Sequence, residues 1–183
     1  MRKIFLVFIS IILLTSCKDD LLPKPKGYLN LTYPANSYQN LELTRPYSFE
    51  VSKFAILKDE RKNWLKIQYP KLKASVNITY RPIQNNLKEL LTDSEKLVYK
   101  HAVKAEQIIP RDFENDEHRV FGSLHEISGN AASQIQFHLT DSTHHFIKGA
   151  LYFYTKPNYD SILPAVEYIK KDIIRLIETL EWK

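Results

Sequence analysis

Ile135-Gln136-Phe137-His138-Leu139-Thr140-Asp141-Ser142-Thr143-His144-His145-Phe146-Ile147-Lys148-Gly149-Ala150-Leu151-Tyr152-Phe153 decides the fold. Ile135, Phe137 and Leu139 alternate with other residues, as on a strand with one buried face. Ile147, Leu151 and Phe153 do the same after an interruption. The two runs predict an antiparallel hairpin whose register depends on loop length. A three-residue loop, Ser142-Thr143-His144, sets Ile147 opposite Leu139 and Leu151 opposite Ile135. A two-residue turn sets Lys148 opposite Phe137. A one-residue slip moves every side chain to the other face, so burial selects the first register.

Outward from this hairpin, Tyr152 and Tyr154 project from the face opposite Leu151 and Phe153. Their amphipathic rings suit either a binding surface or the underside of a helix. Further on, Ile162, Val166, Ile169, Ile173, Leu176, Ile177 and Leu180 form one helical stripe, with Lys170, Lys171, Arg175, Glu178 and Glu181 mostly off it. Asp160 or Ser161 is the expected cap, with Pro164 in the first turn. Upstream, His118 to Ile127 reads as a strand ending in the turn Ser128-Gly129-Asn130. Thr92-Asp93-Ser94-Glu95 reads as a capping box. It is followed by Leu97, His101, Ala105 and Ile108 at helical spacing, with Pro110 as the stop. Asn86 to Leu91 is expected to form a preceding helical turn or two.

Earlier strands are marked by Tyr28 to Tyr33, by Tyr47-Phe49-Val51, by Leu65-Ile67-Tyr69 and by Val76-Ile78-Tyr80. Phe54 and Ile56 continue the second of these one step out of phase, which predicts a bulge near Ser52-Lys53. The result is an α+β domain: a mainly antiparallel sheet with a middle helix and a long C-terminal helix packed on it. The element order is like that of the PsbP and Mog1 proteins, an analogy of fold alone.

The N-terminus carries a different signal. Arg2 and Lys3 precede an apolar run from Ile4 to Leu13 that is too short for a comfortable membrane span and fits a signal-peptide core. Leu14-Thr15-Ser16-Cys17 then resembles a bacterial lipobox, with lipidation of Cys17 as the expected outcome. Three segments follow: a lipoprotein signal peptide at 1–16, a lipidated tether at 17–27 and a single domain at 28–183. Lys18-Asp19-Asp20 is similar to short surface-export tags and equally fits a solvated tether. Leu21-Leu22-Pro23-Lys24-Pro25-Lys26-Gly27 suits a stiff linker. Cys17 is the sole cysteine, so lipidation leaves the domain neither a disulfide nor a catalytic thiol.

Chemistry is sparse. The net charge is +5, and without Arg2 and Lys3 it is 24 cations against 21 anions. No basic stripe or RNA-binding motif accompanies it, so nucleic acid is not an expected partner. There is no nucleophile elbow, phosphate loop or zinc-protease motif. His125, Glu126 and His138 lie on adjacent predicted strands and invite a test for convergence. They fall short of a metal set, and solvent-facing strand histidines are the simpler reading. His144 and His145 point to opposite faces of a hairpin tip. His101 is expected to be a hydrogen-bonded residue of the helix face. Asp112, Glu114, Asp116 and Glu117 lack the central glycine of a calcium loop and are expected in a solvated loop. No catalytic, cofactor-binding or metal-binding residue is assigned, and no small-molecule substrate is evident. A deep pocket with convergent histidines and carboxylates would instead point to a hydrolase.

Several blocks together resemble the gliding-motility lipoprotein GldD family of Bacteroidota. They are Leu14-Thr15-Ser16-Cys17, Pro23 to Tyr28 with Tyr33-Pro34, Tyr69-Pro70-Lys71, Leu139 to Ser142 through Phe146, Gly149 to Phe153, Pro157 to Ser161, and Glu178 to Trp182. The resemblance implies a non-enzymatic membrane lipoprotein that serves gliding and the associated type IX secretion apparatus. Its partners would be the membrane, through the lipid, and other gliding or secretion proteins. Its place would be the cell envelope at the outer membrane, on the periplasmic or surface side. The alternative is an envelope-associated module that binds cell-wall glycan or peptide through Tyr152 and Tyr154.

Overall fold

The hairpin lies inside a seven-stranded sheet of order β4-β5-β6-β10-β9-β8-β7, every neighbouring pair antiparallel. The strands are β4 (Ile56–Asp59), β5 (Leu65–Tyr69), β6 (Ala74–Pro82), β7 (Ala105–Asn115), β8 (Val120–Gly129), β9 (Ile135–Thr140) and β10 (His145–Phe153). Short strands β1 (Tyr38–Asn40) and β3 (Glu50–Ser52) pair with each other, as do β2 (Tyr47–Ser48) and β11 (Glu181–Trp182). The helices are α1 (Leu87–His101) and α2 (Tyr159–Glu178). This computed structural model describes residues 32–41, 44–155 and 158–183, with only the backbone of His101 and Ala102.

The hairpin takes the three-residue register: Ile147 faces Leu139, Phe146 faces Thr140, and the Asp141 N–H donates to the His145 carbonyl at 3.3 Å. Ile135, Phe137, Leu139, Ile147 and Leu151 are buried together, and Ile162, Val166, Ile169, Ile173, Leu176 and Ile177 of α2 cover them. Gly149 makes room within this layer. A Cβ built there would sit 2.1 Å from the Phe137 ring, so glycine is what lets that ring lie flat on β10. The helix stripe is therefore core, with Leu180 continuing it just beyond the helix end.

One buried charge interrupts this core. Asp172 of α2 accepts hydrogen bonds from the Tyr69 hydroxyl at 3.0 Å and the Asn36 amide at 2.7 Å. Burial, followed by the Asp172 charge, pushes the Tyr38 hydroxyl up to about 12. Asp172 thus ties the segment leading into β1 to the final helix.

Several expectations are corrected. The strand expected at 28–33 falls outside the described residues up to 31. Thr32 and Tyr33 belong to no strand, and pairing starts at Tyr38. Tyr47, Phe49 and Val51 are buried in alternation as read, but Ser52 to Ala55 is a turn rather than a bulge, closed by Ala55 N–H to the Ser52 carbonyl at 3.2 Å. It hands the chain to a different sheet, and Phe54 and Ile56 end up exposed.

The largest correction concerns residues 87–115. Thr92 is no cap: the helix starts at Leu87, and the Thr92 hydroxyl donates back to the Lys88 carbonyl at 2.8 Å. Nor does the helix run to Ile108. Ala105 to Asn115 is strand β7, with Pro110 inside it opposite His125. Pro110 is tolerated because β7 is an edge strand whose outer N–H groups have no ladder partner. Asp112 and Glu114 accordingly lie on a strand rather than in a loop; Asp116 and Glu117 are in the turn that follows. β8 begins two residues later than read and extends to Gly129, at φ +87°.

The cap of α2 is Asn158 rather than Asp160 or Ser161. Pro164 therefore lies in the second turn, where it removes one bond to the Asp160 carbonyl. Among the described residues, no helix is long and apolar enough to cross a membrane.

Candidate functional site

The loop ends of β7–β8 and β9–β10 converge on β11 and enclose a shallow cleft of about 410 Å³. Asp141 builds one wall. Its Oδ1 accepts the backbone N–H groups of Thr143 (3.0 Å), His144 (2.8 Å) and His145 (2.8 Å), and its Oδ2 accepts the Thr143 hydroxyl at 2.9 Å. This is the side-chain turn that an aspartate at the head of a tight loop favours, and it lets Ser142 hold a φ of +66°. Burial alone would raise the Asp141 pKa. The N–H groups of His145, His144 and Thr143 and the Thr143 hydroxyl outweigh it and lower the carboxyl to about 2.

Trp182 builds the floor. Its ring stacks on His145 at 5.3 Å between centroids and 8° between planes, and its indole N–H donates to the Arg119 carbonyl at 3.1 Å. Arg119, at φ +51°, in turn donates to the Asp141 carbonyl at 3.3 Å. His145 Nδ1 lies 2.9 Å from the Tyr80 hydroxyl. Burial lowers the His145 pKa, opposed by Asp141 and reinforced by His144. Glu117, His118, His144, Glu181 and Lys183 line the mouth.

Histidines and carboxylates therefore do converge here, but each central group is already engaged. Asp141 is a fixed acceptor too acidic for proton transfer near neutrality. The Thr143 hydroxyl donates to Asp141 rather than facing a base, and His145 lies stacked on Trp182 with its Nδ1 at the Tyr80 hydroxyl. Among the described residues no group of three or more His, Cys, Asp or Glu is placed to hold a metal ion. The arrangement suits recognition: a rigid polar rim with charges of both signs around a flat aromatic floor.

Comparison with known families settles the kinship. The family model for the gliding motility lipoprotein GldD matches residues 18–182. The chain belongs to that family. Neither the curated proteins nor the solved structures yield a match, so the PsbP and Mog1 analogy draws no support from them. Family membership makes this a gliding-motility-associated lipoprotein, which implies membrane anchoring in the cell envelope.

Against that kinship, the residues singled out in the sequence fall as follows. Cys17 lies outside the described residues, as does the His101 side chain. Tyr154 is 56% exposed. Its hydroxyl donates to Ser75 Oγ at 2.7 Å and the Lys66 ammonium lies 5.4 Å from its ring centre. Burial alone would raise its pKa, but Lys66, Ser75 and Lys58 lower it. Tyr152 is half-buried, and burial raises its pKa. The pair is thus split between an exposed ring and a half-covered one.

His125 and His138 share the α1 side of the sheet, whereas Glu126 points to the α2 side and binds Lys170 at 3.0 Å. The three do not converge. His138 is half-buried rather than solvent-facing, stacked on Phe146 at 5.8 Å with Nδ1 3.4 Å from Ser123 Oγ. Arg119 and Trp182 were missed as a pair. Asp141 with Thr143 two residues on carried a readable turn signal; nothing local pairs Arg119 with Trp182, 63 residues away.

Proposed function

We propose that this protein is a lipid-anchored accessory component of the gliding-motility and type IX secretion apparatus, with no reaction of its own, held at the outer membrane through acylated Cys17. The observation that carries the reading is the family match over residues 18–182, which starts one residue after the lipobox cysteine. Several acyl chains on one residue anchor durably where a single chain binds marginally. The cleft supports the non-enzymatic reading, because its acid and hydroxyl bond each other and its central imidazole is engaged by Trp182 and Tyr80.

Metabolic labelling with a fatty-acid analogue tests the anchor. Label is expected on the parent and absent from Cys17→Ala, which should leave the membrane fraction and abolish gliding. Undiminished label in Cys17→Ala overturns the assignment. Crosslinking of intact cells should recover motility or secretion proteins. Exposed Tyr154 sustains the second reading, a glycan- or peptide-binding module. Sedimentation with isolated peptidoglycan that is lost in Tyr154→Ala would replace the first reading with it.

A further inference from the structure

The charge of this protein is concentrated on one sheet edge. Residues 53–73 hold seven of the chain's 26 cations (Lys53, Lys58, Arg61, Lys62, Lys66, Lys71 and Lys73) and two of its 21 anions (Asp59 and Glu60), leaving 19 of each sign elsewhere. The β4–β5 hairpin and its flanks therefore carry +5, whereas the rest of the chain, without Arg2 and Lys3, holds 17 cations against 19 anions. All seven cations are exposed except Lys66, which is half-buried. Of the two acids, Asp59 is paired inward with buried Arg45, and Glu60 lies 3.8 Å from Lys58. Lys58 and Lys66 face each other directly across the ladder, an arrangement that repels unless an anion lies over it.

Large apolar side chains are interleaved with these cations. Four of the seven exposed large hydrophobics among the described residues lie here: Phe54, Ile56 and Trp64 on the edge, and Tyr154, whose N–H donates to the Lys73 carbonyl at 2.7 Å. Phe54 and Ile56, about half exposed, flank an apolar groove of about 340 Å³ with Tyr69, Pro70, Leu72 and Tyr168. Thr32, where the described chain begins, lines the same groove.

That position brings a bilayer within reach of the groove. Fourteen residues, 18–31, lie between the lipobox cysteine and Thr32. Fully stretched they extend roughly 50 Å, little more than the roughly 40 Å across a domain of this size. The tether thus enters the domain at this edge, and its reach lets the edge lie against the bilayer.

We infer that the β4–β5 edge docks flat on a bilayer containing anionic lipid, with Phe54 and Ile56 at the headgroup boundary and the surrounding lysines on lipid phosphates. The inference rests on the lipid-anchor reading above. Cations on long stems around apolar side chains match this surface, where the stems lie along the apolar layer and the charges reach the headgroups.

The test uses the lipid-modified protein purified from cells and reconstituted with phosphatidylcholine vesicles, with or without phosphatidylglycerol. Amine labelling of Lys53, Lys58, Lys71 and Lys73 is compared with that of Lys96 and Lys100 on α1, while co-sedimentation reads the anchor separately. Edge labelling should fall roughly fivefold on anionic vesicles only, and recover in high salt. The α1 lysines should not change. Phe54→Ser with Ile56→Ser, both exposed, should stay vesicle-bound and lose the protection. Lys58→Glu with Lys66→Glu should do the same should the first variant fail to fold. Co-sedimentation with equal labelling of edge and α1 lysines overturns the docking and leaves the anchor standing. Protection that ignores lipid charge and salt overturns it in favour of a second copy on the edge strand. Failure to co-sediment with either vesicle overturns the anchor, and this inference with it.

Discussion

The two faces of the seven-stranded sheet are built on opposite terms. Toward α2, β5, β6, β9 and β10 present Leu65, Ile67, Val76, Ile78, Phe137, Leu139, Ile147 and Leu151, all buried. Toward α1, the alternate positions of the same strands present Gln68, Ser75, Asn77, Thr79, Gln136, His138 and Lys148. Helix α1 covers this polar layer with the narrow line Leu90, Ser94 and Val98, of which Val98 joins a small cluster with Ile127 and Ala131. One face is specified by volume and the other by hydrogen bonding. The first holds the domain together; the second buries polar groups such as Ser75 and Gln136 beside half-buried Asn77, Thr79 and Lys148.

The strongest way to break this comparison is on the α2 side. Ile173→Ala should destabilise by about 2–5 kcal/mol, read as a large drop in melting temperature, and adding Ile177→Ala should nearly abolish folding. An Ile173→Ala protein that melts like the parent while cells stop gliding would make the stripe a partner surface. Gly149→Ala tests the same layer by overpacking. The new methyl meets the Phe137 ring, and a loss of about 1–3 kcal/mol is expected in chemical denaturation. A neutral result would show that this ring moves freely.

On the α1 side the effects shrink. Val98→Ala should lower global stability by about 1 kcal/mol, and hydrogen exchange should show α1 opening well before α2. Equal protection of the two helices would erase the distinction between the faces. The polar layer should also be the acid-sensitive one. Burial lowers the His138 pKa below its ordinary 6.5, reinforced by His125 and opposed by Glu95 and Asp112. A group whose folded pKa is depressed contributes stability that is complete above its unfolded value and lost as pH falls through the folded value. Melting temperature should therefore decline as pH drops below 6.5, and His138→Gln should flatten that decline. An unchanged slope would place the sensitivity elsewhere.

The same contrast explains what the sequence made legible. Ile135, Phe137 and Leu139, and the α2 stripe from Ile162 to Leu180, carry periodicity because a large apolar core imposes it. Residues 87–115 misled for the opposite reason. With little core to face, α1 needs few apolar positions, so a chance capping box at Thr92 outweighed a weak start at Leu87. The edge strand β7 carries Pro110 and alternating acids that a central strand would forbid. In the cleft, Asp141 announced a turn through its neighbours, but Trp182 reaches Arg119 only because β11 pairs with β2, a partnership between chain segments far apart. Local pattern does not encode such a meeting.

The pairing of β6 with β10 has a consequence in time. It forms the middle of the sheet, yet it joins residue 82 to residue 145 and residue 74 to residue 153. Strands β7 to β10 can close as successive hairpins, each with a near neighbour, while β5 and β6 form their own hairpin earlier in the chain. Neither half has a finished core until the long loop closes and α2, later still, lies across the seam. Loop closure of this kind sets folding on the order of milliseconds to seconds rather than microseconds. Until then two half-sheets wait with bare strand edges, so the seam is where a newly emerged chain is most exposed to aggregation. Stopped-flow refolding should show that delay as one dominant slow phase, with the α2 fluorescence or exchange signal arriving last.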